Sequence, residues 1–205
     1  MKIIRPSALA LLMALIVEIC SGISGAQAAL SPIGFSVIPP AQIPTSDFSV
    51  VGARASVLWG RHREVYGIDL GLIGNMTENS FGGAAVSGVF NWNQGTATVL
   101  GIQAAGLANV NVNKARIIGL QVAAGLNSNR AESTLVGAGL ALINQMSHTT
   151  VIGVQAGLYN TAREVYGFQF GLFNVTESLH GVQVGLLNFN KTGLFSVAPI
   201  VNIGF

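Results

Sequence analysis

From about residue 50 onward the chain alternates between bulky apolar and small or amide-bearing residues. In the stretch Tyr166-Gly167-Phe168-Gln169-Phe170-Gly171-Leu172-Phe173-Asn174, Phe168, Phe170 and Leu172 fall on one side of an extended backbone. Gly167, Gln169 and Gly171 fall on the other, because successive strand side chains point to opposite faces. The same order recurs in Gly153-Val154-Gln155-Ala156-Gly157-Leu158-Tyr159-Asn160 and in Gly181-Val182-Gln183-Val184-Gly185-Leu186-Leu187-Asn188, whose first glycines lie 14 residues to either side of Gly167 (167 − 153 and 181 − 167). Looser copies begin at Gly67, Gly101, Gly119 and Gly137. A helical reading fails, since each glycine costs about 0.5–1 kcal/mol against Ala in a helix and the apolar positions lack a 3.6-residue period. The chain is a repeat array of strands.

The pattern predicts ten strand segments, about 50–60, 65–75, 83–92, 97–109, 115–127, 133–144, 149–160, 164–174, 178–188 and 193–205. The joints between them are short and rich in Asn, Gly, Ser and charged residues, which is turn chemistry. Short joints favour antiparallel pairing of neighbours, so the expected fold is an all-β, antiparallel up-and-down barrel of about ten short strands. The alternative is a β-solenoid, in which the copies stack in parallel and Gln155, Gln169 and Gln183 form a ladder. A solenoid meets a difficulty of reach. Eight extended residues span about 26 Å and the six left in a 14-residue period return only about 20 Å, unless Gly171 and its equivalents are corners.

Composition bears on what surrounds these strands. The chain is 50% hydrophobic and only 9% charged, against about 25% charged in an ordinary soluble domain. Residues 1–28 read as an export signal, with Lys2 and Arg5 at its start, an apolar middle from Ala8 to Val17, and the small-residue site Ala26-Gln27-Ala28. The sole cysteine, Cys20, lies inside that segment, preceded by Glu18 and Ile19, a poor match to a lipidation site. Residues 29–49 are rich in proline, which argues against a central strand there, and 50–205 form the repeat domain. No apolar run beyond the signal approaches the ~18–20 residues of a membrane helix. Removal of the signal leaves eight basic residues (10 − 2) and seven acidic (8 − 1), so nothing in the charge balance points to nucleic acid.

These considerations assign Tyr166, Phe168, Phe170, Leu172, Val182, Val184 and Leu186 to a lipid-facing wall. Asp69, Gln103, Gln121, Gln155, Gln169 and Gln183 fall on the opposite wall, either lining a narrow lumen or interlocking through amide hydrogen bonds. Asp69 is either a carboxylate that biases such a lumen toward cations or an interior acid bonded to Arg54 or Arg116. The final segment places Val197, Pro199, Val201, Ile203 and the terminal Phe205 on one face, which resembles the strand by which outer-membrane barrels engage their assembly machinery. The expected partners are therefore outer-membrane lipid and that machinery.

The run from Pro39-Pro40 through Val65-Tyr66-Gly67-Ile68-Asp69-Leu70-Gly71-Leu72, followed by repeated G-x-Q-x-G-L-x-N, resembles a bacterial family named after leptospiral surface repeat-containing proteins. The resemblance covers nearly all of residues 29–205 and implies a surface or envelope location, without implying any chemistry. The chain departs from the pattern at Asp69, where later copies carry Gln, and in the extra residues of the copies between 101 and 144.

No catalytic, metal or cofactor constellation is expected. His62, His148 and His180 share no metal-ligand spacing, and no nucleophile turn of the G-x-S-x-G kind occurs. Gly82-Gly83 lacks the residues that complete a phosphate loop. The expected function is that of a small non-enzymatic outer-membrane barrel, a narrow channel or a structural envelope protein. The alternative is a soluble or lipid-tethered surface repeat protein acting in adhesion or scaffolding.

Overall fold

The computed structural model describes residues 29–205, and the segment 1–28 expected to be an export signal, with Lys2, Arg5 and Cys20, lies outside the described residues. The strands are β1 (Leu30–Ile38), β2 (Ala41–Ile43), β3 (Ser49–Ser56), β4 (Trp59–Gly71), β5 (Gly74–Ser87), β6 (Phe90–Asn93), β7 (Thr96–Ala105), β8 (Ala108–Asn111), β9 (Ala115–Ala123), β10 (Leu126–Asn129), β11 (Ser133–Leu140), β12 (Ile143–Ala156), β13 (Tyr159–Phe170), β14 (Phe173–Asn190) and β15 (Val197–Gly204). They wind into a β-solenoid of about ten turns. Each turn has a long leg carrying Gly and Gln, such as residues 164–170, and a short leg carrying Asn, such as residues 173–176.

The expected antiparallel barrel is not formed. From β3 to β14 all pairings are parallel. Most of the stretches expected as joints do not fold a strand back onto its neighbour; they are short legs that lie inside strands, as 75–80 does in β5 and 160–164 in β13, and the tight corners fall within the expected segments, as at Gly106-Leu107 in 97–109. The reach problem is solved at the corners, since Gly171-Leu172 bends between the legs and shortens the return path. Antiparallel pairing is confined to the ends, where β2 lies against β1 and β15 against β14. The last strand thus covers the final turn and closes no barrel. Phe205, expected as an assembly signal, is fully exposed, and the barrel on which that expectation rested is absent. The proline-rich segment contributes β1 and β2, which form the other end of the stack.

Parallel, in-register stacking puts like on like. Gly153, Gly167 and Gly181 align, as do Gln155, Gln169 and Gln183, and Asn144, Asn160 and Asn174. An apolar column of Val65, Phe81, Val99, Ile117, Leu135, Val151, Val165 and Leu179 fills one part of the interior. The unequal repeat length is absorbed mainly between the Asn of one turn and the Gly of the next. That interval is ten residues from Asn91 to Gly101 (101 − 91) but seven from Asn160 to Gly167 (167 − 160).

The long-leg glycines are fixed by geometry. Gly153 has φ +133°, a region L side chains rarely adopt, and a Cβ there would lie 2.1 Å from the carbonyl oxygen of Gly137 in the turn beneath. Gly101 is different: its φ is +96°, but a Cβ would meet nothing within 4 Å, because a register shift between Gly83 and Ala85 opens the stack there. Gly153→Ala therefore prevents close stacking and costs at least about 3 kcal/mol, whereas Gly101→Ala costs only backbone strain of about 1–2 kcal/mol. Comparison of their urea midpoints checks this; equal losses would contradict it.

Candidate interaction surface

The interior is where the polar chemistry of the chain has gone. Asn75, Asn91, Asn109, Asn127, Asn144, Asn160, Asn174 and Asn188 form one ladder in which each amide nitrogen donates to the next side-chain oxygen at 2.8–3.0 Å. Each also donates to a main-chain carbonyl near the end of a long leg, as Asn144 does to Ala156 O at 2.9 Å and Asn174 to Val184 O at 3.0 Å. The ladder thereby pairs carbonyls that the corner would leave open. A second ladder links Gln183 to Gln169 at 2.7 Å, Gln169 to Gln155 at 2.6 Å and Gln121 to Gln103 at 3.1 Å. It breaks at Gly139, which stands in register between Gln121 and Gln155. Leu135 and Met146 fill the space there. The five glutamines expected on the inner wall are all fully buried; besides one another they bond Asn111, Asn129 and Asn202 and the carbonyls of Thr161 and Phe189.

In the first turns the amides give way to charges. Arg54 donates to Asp69 through Nε at 2.8 Å and Nη2 at 2.6 Å, with both side chains buried. Of the two partners considered for Asp69, the structure selects Arg54; Arg116 is exposed. Arg54 Nη1 also donates to Met76 O at 2.9 Å and faces His62 Nδ1 at 3.2 Å, while His62 Nε2 faces Pro44 O at 3.1 Å. An arginine cannot accept, so His62 Nδ1 is the acceptor and Nε2 carries the proton. His62, which sits in a basic stretch of the sequence, is fully buried rather than solvated. Its hydrogen-bond partners come from residues 44 and 54, which no local pattern could bring together. Each member of this cluster is held by the others, and it has no opening to solvent. Among the described residues there is no group of three or more His, Cys, Asp or Glu that could hold a metal ion.

The outside is the reverse. Among the described residues the core contains 32 buried polar or charged residues against 18 buried apolar ones, and 36 large apolar residues are exposed. On the long legs two of the outward rows run Ala53, Ile68, Ala84, Ile102, Leu120, Ala138, Val154, Phe168, Val182 and Ala55, Leu70, Val86, Ala104, Val122, Leu140, Ala156, Phe170, Val184, aligned by register apart from the shift after Gly83. All are exposed or half-buried, and neither row contains a polar side chain. Tyr166, Phe168, Phe170, Leu172, Val184 and Leu186, expected on the outer wall, are exposed, and Val182 is half-buried. The corners after the long legs add a leucine edge of Leu72, Leu107, Leu142, Leu158, Leu172 and Leu186, with Leu72 70% exposed. Beyond it the short legs present Trp59, Phe90, Ile143, Tyr159 and Phe173. At the first turns a shallow groove of about 350 Å³ between Phe35, Val57, Leu70, Leu72 and Val86 continues the same surface.

Charge is segregated to the opposite edge. Apart from the buried Arg54–Asp69 pair, the charged residues of 29–205 lie at or beside the corners that lead into the long legs, including Arg61, Glu78, Lys114, Arg130, Glu132, Arg163, Glu164, Glu177 and Lys191. They include the ion pairs Arg61–Glu78, Arg163–Glu164 at 3.4 Å and Lys191–Glu177 at 3.1 Å. This edge carries seven basic and six acidic side chains (8 − 1 and 7 − 1), so it is wetted by charge without being strongly of one sign.

Comparison with family models, curated proteins and solved structures finds no match to the chain.

Burial, reinforced by the Arg54 guanidinium, lowers the pKa of His62 from 6.5 to about 4. A depressed histidine pKa favours the neutral form in the fold. Its contribution is fully present above pH 6.5, falls away as pH drops toward about 4, and is worth roughly 3 kcal/mol in all. His62→Gln, an amide that can bridge the same partners, flattens this part of the stability–pH profile. Chemical denaturation between pH 7 and 4 checks it; an unchanged slope in the variant would remove His62 as the cause.

Proposed function

We propose that the protein is a non-enzymatic repeat scaffold of the bacterial envelope surface, exported and held there by its apolar outer wall. One observation carries this reading: two outward rows of the long legs run the length of the solenoid without a single polar side chain. A monomeric soluble protein rarely exposes a contiguous apolar patch beyond about 300–600 Å². About ten turns at roughly 4.8 Å per turn, and the roughly four residues of leg that the two rows span at roughly 3.3 Å each, give a strip of about 600 Å², which the leucine edge and the short legs carry past that limit. Such a surface works by being covered. The buried amides are committed to ladders, and the buried Arg54–Asp69–His62 cluster serves the packing of the first turns. The resemblance to leptospiral surface repeat proteins and the export-like sequence of residues 1–28 support the envelope location.

Ile68→Ser, Leu120→Ser and Phe168→Ser together make the wall polar without touching the interior. In fractionated cells the parent protein sediments with the envelope, and the triple variant moves to the soluble fraction with an unchanged β-type circular dichroism spectrum. Recovery of the parent protein in detergent-free buffer, or retention of the folded variant in the envelope, would count against the scaffold reading.

A further inference from the structure

The structure assigns the apolar surface an occupant: we infer that the solenoid lies edge-on in one leaflet of a lipid bilayer, its leucine edge among the acyl chains and its charged edge at the head groups. This rests on the wall being the working surface and names what covers it. A second copy of the chain would cover one flat face, at about 800 Å² per partner in an ordinary interface. Here the apolar surface runs over the long-leg face, around the leucine edge and onto the short legs at Ile143, Tyr159 and Phe173. A fluid apolar medium surrounds an edge, whereas a flat partner does not.

Two further observations fit this seat. In hydrocarbon every backbone polar group must be paired within the protein, and turns ordinarily fail that condition. At the leucine edge the corners carry the ladder themselves: Leu107 N donates to Val89 O at 2.8 Å, Leu158 N to Leu142 O at 2.8 Å, and Leu172 N to Leu158 O at 2.9 Å. The Asn ladder takes up the neighbouring carbonyls, as Asn160 does at Phe170 O at 2.8 Å. Depth also fits. From Leu172 to Tyr166 is six residues, about 20 Å along the strand, which with a tilt matches one leaflet of ~15 Å plus part of the head-group layer. A membrane-crossing strand needs about 9–11 residues, more than the seven of residues 164–170. Tyr66 and Tyr166 stand where the apolar wall meets the charged edge, the level at which tyrosines gather in membrane proteins.

The test uses the full chain carrying Cys20→Ser, which removes the only cysteine. Single reporter sites are then added at Leu142→Cys, Ala138→Cys and Ser147→Cys and labelled with an environment-sensitive dye. Vesicles of phosphatidylethanolamine and phosphatidylglycerol at 3:1 are added. The dye at Leu142 and Ala138 shifts to the blue and is quenched several-fold by lipids spin-labelled on the acyl chain, while the dye at Ser147, on the charged edge, keeps its aqueous spectrum. An export segment that binds lipid alone would leave all three dyes in water. Unshifted spectra at Leu142 and Ala138 would overturn the lipid seat. If the protein then still fractionated with cell envelopes through its wall, a protein partner or second copy would be the occupant and the scaffold reading would stand. Loss of both would take the scaffold reading down as well.

Discussion

A buried amide that finds no partner costs about 1–3 kcal/mol, and this chain buries one or more in nearly every turn. The cost is avoided only if every amide meets another at the right height. Parallel in-register stacking is the arrangement that does so for a repeated residue. Each Asn then sits one turn above its equivalent, with donor facing acceptor, as in the run from Asn75 to Asn188. An antiparallel barrel would place an Asn beside whichever residue the hairpin register chose, and the ladder could not propagate. The pairing of amides therefore fixes strand direction, and strand direction fixes where the glycines and the apolar residues go.

Much of this was legible in the chain, though not its topology. The alternation of Phe168, Phe170 and Leu172 with Gln169 and Gly171 gave strands and the two-sidedness of the wall, but not their limits, since segments such as 97–109 run across a corner at Gly106-Leu107. Alternation has the same period in parallel and antiparallel sheets, so it could not give direction. The signal that could have done so is the recurrence of one residue type at one position, Asn after Asn and Gln after Gln, because identical polar side chains gain from meeting themselves. Varying repeat length pointed toward hairpins. In fact it is taken up at the charged corners, where residues such as Asn113, Lys114, Arg130 and Glu132 sit without disturbing the ladders. The reach argument failed because Gly171 and its equivalents bend the chain, the one exception it allowed.

The buried cluster of Arg54, Asp69 and His62 shows a different limit. Asp69 in place of the later glutamines marked an irregular turn, and Arg54 was among its foreseen partners. Nothing in the sequence around His62 signals burial, because its neighbours Arg61 and Arg63 are turn-like and charged. Its burial follows from strand alternation once the short leg is recognised as a leg: Gly60 and His62 face in, Arg61 faces out. A turn of five residues and a short strand look alike in sequence when the strand is this brief.

The distribution of polarity follows from the same ladders. With amides and one apolar column filling the interior, the remaining apolar residues of each copy have only the outside left, since alternation allows no third place. Water is a poor neighbour for such a surface, at about 25 cal/mol for each Å² of apolar area left wet, so that a strip of about 600 Å² costs on the order of 15 kcal/mol by its exposure. A fold that can stand with that surface uncovered would have to recover it from the interior, where hydrogen bonds contribute only about 1 kcal/mol each. On the proposed reading, covering this surface would add to the stability of the fold, and a medium that surrounds the leucine edge as well as the flat wall would relieve more of that exposure than any single docked face.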